Sequence, residues 1–226
     1  MRSACYLLAL TCCAGSIAAT STTMTTQSTV LSEADWLAKL TPTQRGFMQW
    51  TNSHFDRVMD RRDFSTWTPE ARAKVEDEAL QKIGGPQNQA YYEAINTLGA
   101  LRSTKAVKPL LGVATDRIGR DCRDNWMATR ALGLIGDPSV VPELIHLSYH
   151  TNLNTHLWAQ IALVRLTGQN FEYDWQRWGA WWNAQGGKPA FKPEKIRWWD
   201  DPKFDEASTA EALAAADRKF MAERQH

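Results

Sequence analysis

Apolar residues along this chain recur at three- and four-residue steps, the spacing that sets side chains on one side of an α-helix. Phe47, Trp50, Phe55, Val58 and Met59 fall on one such side, and so do Val75, Ala79, Leu80 and Ile83 before Gly84-Gly85-Pro86 stops the run. Three helix starts go with these stripes. Ser32 with Asp35 resembles a capping pair, and Thr41-Pro42 and Thr68-Pro69-Glu70 each set a hydroxyl cap before a proline at the first helical position. Both stripes read as core.

Beyond Pro86 the pattern repeats. Leu98-Gly99 recurs as Leu132-Gly133, and Val107, Leu110 and Leu111 recur as Val141, Leu144 and Ile145, all 34 residues on. Tyr92 and Ala94 align with Trp126 and Ala128 at the same step, and a third copy follows after 31, mapping Ala128, Ala131, Leu132 and Ile135 onto Ala159, Ala162, Leu163 and Leu166. Each copy predicts a striped helix, a tight turn and a second striped helix. Neither helix can bury its stripe alone, so the copies must stack, with alanines letting backbones approach and leucines filling the space between layers. Asp137-Pro138-Ser139 is the turn of the second copy; Ser139 is expected to cap the next helix, with Pro142 in its first turn. Pro109 stands one residue later in the first copy, so that helix is expected to begin later or bend.

Ala131-Leu132-Gly133-Leu134-Ile135-Gly136-Asp137-Pro138, followed by Val140-Val141-Pro142-Glu143-Leu144-Ile145, resembles the HEAT repeat, in particular the bacterial subclass named after phycobilisome lyases. The copy from Ala94 to Leu111 is similar but has Arg102-Ser103 where the pattern has Gly-Asp. The resemblance covers residues 86 to 167, and the ending Leu166-Thr167-Gly168-Gln169 with Trp175, Trp178 and Trp181-Trp182 is similar to the close of secreted bacterial HEAT-repeat proteins. It implies an all-α fold, an armadillo-like α-α superhelix. It also implies an interaction surface, since second helices of successive repeats line a concave face; Lys105, Lys108, Glu143, His146 and His150 are the candidate face residues.

The ends change the picture. Met1 and Arg2, an apolar run from Ala4 to Leu10, and Ser16-Ile17-Ala18-Ala19 predict a signal peptide over 1–19, too short to span a bilayer. A lipoprotein start at Cys12 or Cys13 is the alternative. Cleavage leaves Cys122 alone, so stability must come from packing rather than an internal disulfide. Losing Arg2 also brings the 26 basic residues level with the 25 acidic ones, which leaves no nucleic-acid footprint. Residues 20–31 read as a Ser/Thr-rich disordered leader, 32–85 as a helical region packing on the repeats, 86–187 as repeats with a Trp-rich closing helix, and 188–207 as a loop. A last helix over 208–226 follows from the capping box Ser208/Glu211 and the stripe Leu213, Ala216, Phe220; it is expected to dock on the body.

Catalytic patterns are scarce. Iron-binding HEAT-like hydroxylases use His-Glu pairs, and none of His54, His146, His150, His156 or His226 precedes a glutamate. His146 and His150 share a helix face at metal-ligand spacing, with His156 as a third group, but no carboxylate joins them at an evident spacing, and no metal or cofactor is assigned. Cys122, between Arg120-Asp121 and Arg123-Asp124, reads as a structural cysteine or an intermolecular disulfide partner rather than a nucleophile. The tryptophans are the stronger signal: 11 in all, with Trp175, Trp178 and Trp182 in one stripe. The stripe either closes the end of the stack or presents a platform for sugar rings, and Trp198-Trp199, in a loop, is the pair best placed to be exposed. The chain is thus expected to be an exported, non-catalytic module binding another protein of the cell envelope. The rivals are a carbohydrate or cell-wall binder and an unfamiliar enzyme or metal protein around His146, His150 and Cys122.

Overall fold

A computed structural model describes residues 31–115, 123–150 and 152–193, with isolated positions between 211 and 222. Among them are nine α-helices, α1 (Glu33–Ala38), α2 (Pro42–His54), α3 (Pro69–Ile83), α4 (Gln89–Ala100), α5 (Val107–Ala114), α6 (Arg123–Ile135), α7 (Val141–Leu147), α8 (Leu153–Thr167) and α9 (Trp175–Ala184). The protein is an all-helical α-α stack. Residues 1–30, Cys122 and the part of the expected 188–207 loop that carries Trp198 and Trp199 lie outside the described residues, as does most of the expected 208–226 helix. Glu211, Ala215, Arg218, Lys219, Met221 and Ala222 are helical, and Met221 packs on the body beside Gly46.

The three predicted starts carry their caps. Ser32 Oγ accepts from the Asp35 amide, Thr41 and Gln44 form a reciprocal capping box, and Thr68 Oγ1 accepts from the Ala71 amide. Other expectations shift. Leu31, assigned to the leader, packs on the core against Gly168. The second helix stops at His54, before Phe55, Val58 and Met59; the chain turns there so that the Phe55 ring lies 4.9 Å from that of Trp126. Asp137, not Ser139, caps the turn of the second copy, by accepting from the Ser139 amide at 2.8 Å. Nor does Pro109 delay its helix: α5 starts at Val107, in register with α7 at Val141, because the third helical residue has no intrahelical acceptor to lose.

First helices α4, α6 and α8 form one layer, each packed on the next. Second helices α5 and α7 pack chiefly on the first helix that follows, α6 and α8, so the packing pairs are α3/α4, α5/α6 and α7/α8, out of phase with the sequence copies. This gives α3, which belongs to no copy, the place of a preceding second helix. The layer is tight because small residues meet across it. A Cβ on Gly99 would lie 2.9 Å from Ala131 Cα, and one on Gly133 would lie 2.6 Å from Ala162 Cβ. Leu98, Leu132 and Leu163 beside them are fully buried.

Tyr92 and Trp126 stand at equivalent points of α4 and α6, Trp158 lies on α8, and the N-terminal segment covers both tryptophans: Phe55 meets Trp126, and Phe47 meets Trp158 edge-on at 5.9 Å. A polar clamp holds that cover. Buried Gln44 donates to Gln160 Oε1 at 2.8 Å while its own Oε1 accepts from Asn170, which also donates to the Lys39 carbonyl. The N-terminal helices are thereby fastened to the last repeat.

Each first helix ends in a left-handed residue: Arg102 at φ 54°, Gly136 at φ 87° and Gly168 at φ 71°. Arg102 bears a Cβ cost of about 1 kcal/mol there that glycine avoids. Arg102→Gly is therefore expected to raise stability by about 0.5 kcal/mol after the added freedom of the unfolded chain is subtracted. A pair of alanine variants tests the interlayer contact by urea unfolding. Gly133→Ala should cost about 1–3 kcal/mol by overpacking. Gly112→Ala, where an added Cβ meets nothing within 4 Å, should gain about 0.5–1 kcal/mol. Equal effects at the two sites would refute the close-packing account.

Candidate partner-binding surfaces

The expected face residues do not form one open surface. Lys105, in the turn before α5, is paired with α3, its ammonium 2.7 Å from Glu76 and 3.5 Å from Asp77. Glu76 holds this lysine above its ordinary pKa. Lys108 is exposed on α5 and Glu143 is half-buried on α7. His146 and His150 depart from the expectation: they are only 5% and 7% exposed. For His146 the cause is α9, which packs on α7, and Phe191 beyond it, whose ring lies 4.9 Å from that of His146; His150 falls past the end of α7 at Leu147, against the start of α8. The second-helix face is therefore covered at α7.

The tryptophan stripe supplies that cover. Trp178 is fully buried, donates Nε1–H to the Glu172 carbonyl at 2.9 Å and meets the Phe171 ring at 4.8 Å. Trp175, Trp181 and Trp182 are partly buried against the core, and Trp182 donates to the Pro189 carbonyl. Asn183 brackets Phe191, giving to its carbonyl and accepting from its amide, and so folds residues 187–191 back over α9. For these four rings, closing the stack is the arrangement found.

His150, in the turn between α7 and α8, lies beside His156, in the first turn of α8. His150 Nδ1 accepts from the Asn152 amide at 2.9 Å, which requires that nitrogen to be unprotonated. His156 Nδ1 approaches the His150 carbonyl at 3.3 Å and so carries its proton. Burial, reinforced by His156, pushes the His150 imidazole down to about 4. Among the described residues no three His, Cys, Asp or Glu side chains converge as a metal site.

A groove of about 290 Å³ opens elsewhere, between α3, α4 and the chain that joins α2 to α3. Its lining includes Met59, Val75, Ala79 and Ala94, and Arg57, Glu78, Lys82 and Glu93 bring charge of both signs. One wall is built on Asp60. Thr97 Oγ1 donates to Asp60 Oδ2 at 2.7 Å, Arg62 grips both carboxylate oxygens, and the guanidinium lies 4.8 Å from the centre of the Phe64 ring. Burial pushes this carboxyl up, but Arg62 and Thr97 outweigh it and hold it below the ordinary range.

Residues 125–150, from α6 through the Asp137 turn to the turn after α7, match the family model of the PBS lyase HEAT-like repeat. The chain carries a HEAT-like repeat. No curated protein and no solved structure matches the chain. The matched HEAT-like unit holds the Gly133 contact, the Gly136 turn and the buried face of α7, the parts that stack one repeat on the next.

The groove was missed by repeat reasoning because it lies between the repeats and a non-repeating segment; the run Asp60-Arg61-Arg62-Asp63 was its one visible trace. The histidine turn carries a pH consequence. Unfolded His150 takes up its proton near the ordinary 6.5 and folded His150 near 4, so its contribution is complete above about pH 6.5 and is lost as pH falls towards 4. The loss is on the order of 3 kcal/mol. Urea unfolding at stepped pH should show this slope in the parent, and His150→Asn, which keeps an acceptor for Asn152, should flatten it.

Proposed function

We propose that the chain is an exported, non-catalytic interaction module that holds another protein along the groove between α3, α4 and residues 56–67. The observation that supports this most directly is a groove in which Met59 and Val75 lie among charged side chains of both signs, Arg57, Lys82, Glu78 and Glu93, beside the helical stack. An extended polypeptide can set an apolar side chain against Met59 and Val75 and match the surrounding charges with its own. Fold alone does not specify function, so the reading rests on this surface rather than on the repeat. Among the described residues no helix is long and apolar enough to cross a membrane. Residues 1–19 are proposed to direct export and to be removed, with acylation at Cys12 or Cys13 as the competing start.

Affinity capture from envelope extract, with the intact mass of the exported chain measured in parallel, tests both parts. The mass should correspond to a start near residue 20; a start at Cys12 or Cys13 with an added acyl mass would replace the secreted reading with the lipoprotein. Capture of a defined protein by the parent should drop about tenfold or more in a Lys82→Glu/Glu93→Lys variant, since mismatched charges at a rim suppress association. Undiminished capture by that variant would remove the groove from the interface. Glycan retained by the parent and released by Trp198→Ala/Trp199→Ala would favour the carbohydrate-binding rival.

A further inference from the structure

A second pocket, separate from the groove, lies where α1 and α2 cross the layer of first helices. It measures about 190 Å³ and is lined by Trp36, Leu37, Met48, Trp158, Ile161 and Ala162 together with Arg130, Arg165, Glu33 and Asn52. Space for on the order of six waters at about 30 Å³ each suits a small organic group better than a bulky one.

The two arginines are the anomaly. Arg130 and Arg165 stand on neighbouring first helices, α6 and α8, and line the same pocket; Arg130 occupies the place that Asn96 has on α4. Neither has a carboxylate partner within 4 Å among the described residues. Arg130 Nη1 donates to Asn96 Oδ1 at 3.1 Å, but its Nε is buried without an acceptor, so the Nε–Nη2 edge is unused. That edge is the one a carboxylate bridges with two parallel hydrogen bonds. Trp158 Nε1 is a further buried donor without an acceptor. Both guanidinium groups stack on indoles, Arg130 at 5.4 Å from Trp158 and Arg165 at 5.5 Å from Trp36. Burial, with the charge of Arg165 added, holds Arg130 down at about 10, and burial with the charge of Arg102 outweighs Glu33 and holds Arg165 below its ordinary pKa.

A native interior rarely leaves two such donors unmatched side by side, because each costs about 1–3 kcal/mol. We infer that this pocket is a binding site for a carboxylate attached to a small apolar body, either a free organic acid or the C-terminus of a peptide. The charge sets the class. Arg130 and Arg165 against Glu33 leave one net positive charge in the lining, which matches a monoanion and disfavours a phosphate dianion. The indole and aliphatic walls accept the apolar body, and the paired edge of Arg130 takes the carboxylate. Asn52 Oδ1, buried without a donor, remains for a hydroxyl or amide N–H of the same ligand.

Calorimetric titration of the purified chain tests this with benzoate, benzamide, inorganic phosphate and a dipeptide ending in phenylalanine, free or amidated at its C-terminus. Benzoate or the free dipeptide should bind saturably, about tenfold or more tighter than its uncharged amide and than phosphate, in keeping with a charged hydrogen-bond pair. Which of the two binds identifies the source of the carboxylate. Arg130→Gln should lose that preference, and Arg165→Lys, which keeps the charge without the fork, should weaken it. Equal binding of acid and amide, no binding of either acid, or tighter binding of phosphate would each overturn the assignment on the parent chain alone, whatever the variants do.

Discussion

Everything in this protein depends on how closely α4, α6 and α8 approach one another. Gly99 against Ala131 and Gly133 against Ala162 leave no room for one more methyl group, so neighbouring backbones nearly touch. At that separation the leucines on either side interlock without voids, and the layer becomes a rigid wall. The second helices then pack into the steps between first helices, which is why α5 belongs structurally with α6 and α7 with α8. A looser layer would leave both sets of stripes half-exposed.

Stacking creates the usual problem of open ends, and the molecule meets it with non-repeating chain. At one end α9 and its tryptophans close over α7, burying His146 and turning an expected binding face into interior. Along the side, α1 and α2 lie across the first helices, with Phe47 and Phe55 docked on Trp158 and Trp126 and with Gln44 joined to Gln160 and Asn170. These covers are imperfect fits to a periodic surface. The groove over α3 and α4 and the arginine pocket under α1 and α2 both lie where irregular chain meets regular stack, and this mismatch is the physical origin of the two concave sites.

Aromatic residues divide between these tasks according to what their polar tips can reach. Trp178 and Trp182 find backbone carbonyls and are spent on closure. Trp158 finds none, and instead carries Arg130 on its face. The difference follows from position: α9 is bordered by loops with spare carbonyls, whereas α8 is flanked by helices whose carbonyls are already engaged.

From sequence alone the helices, three of their caps, the 34-residue step and the buried leucines could all be read, because each rests on local spacing or on residue types with one dominant use. Gly99 and Gly133 were visible as a recurring pair, and the repeat explained them. The site was far less legible. His146 and His150 stand at ligand spacing, yet α7 ends at Leu147, before His150, and whether His146 meets water depends on α9, which arrives some 30 residues later in the chain. Asp60 gains its meaning from Thr97, and Arg130 from the helices that cross it at Trp36 and Met48. Periodicity determines which side of a helix is apolar; only the tertiary structure decides which side is covered, since coverage is made by segments whose sequence carries no trace of where they will land.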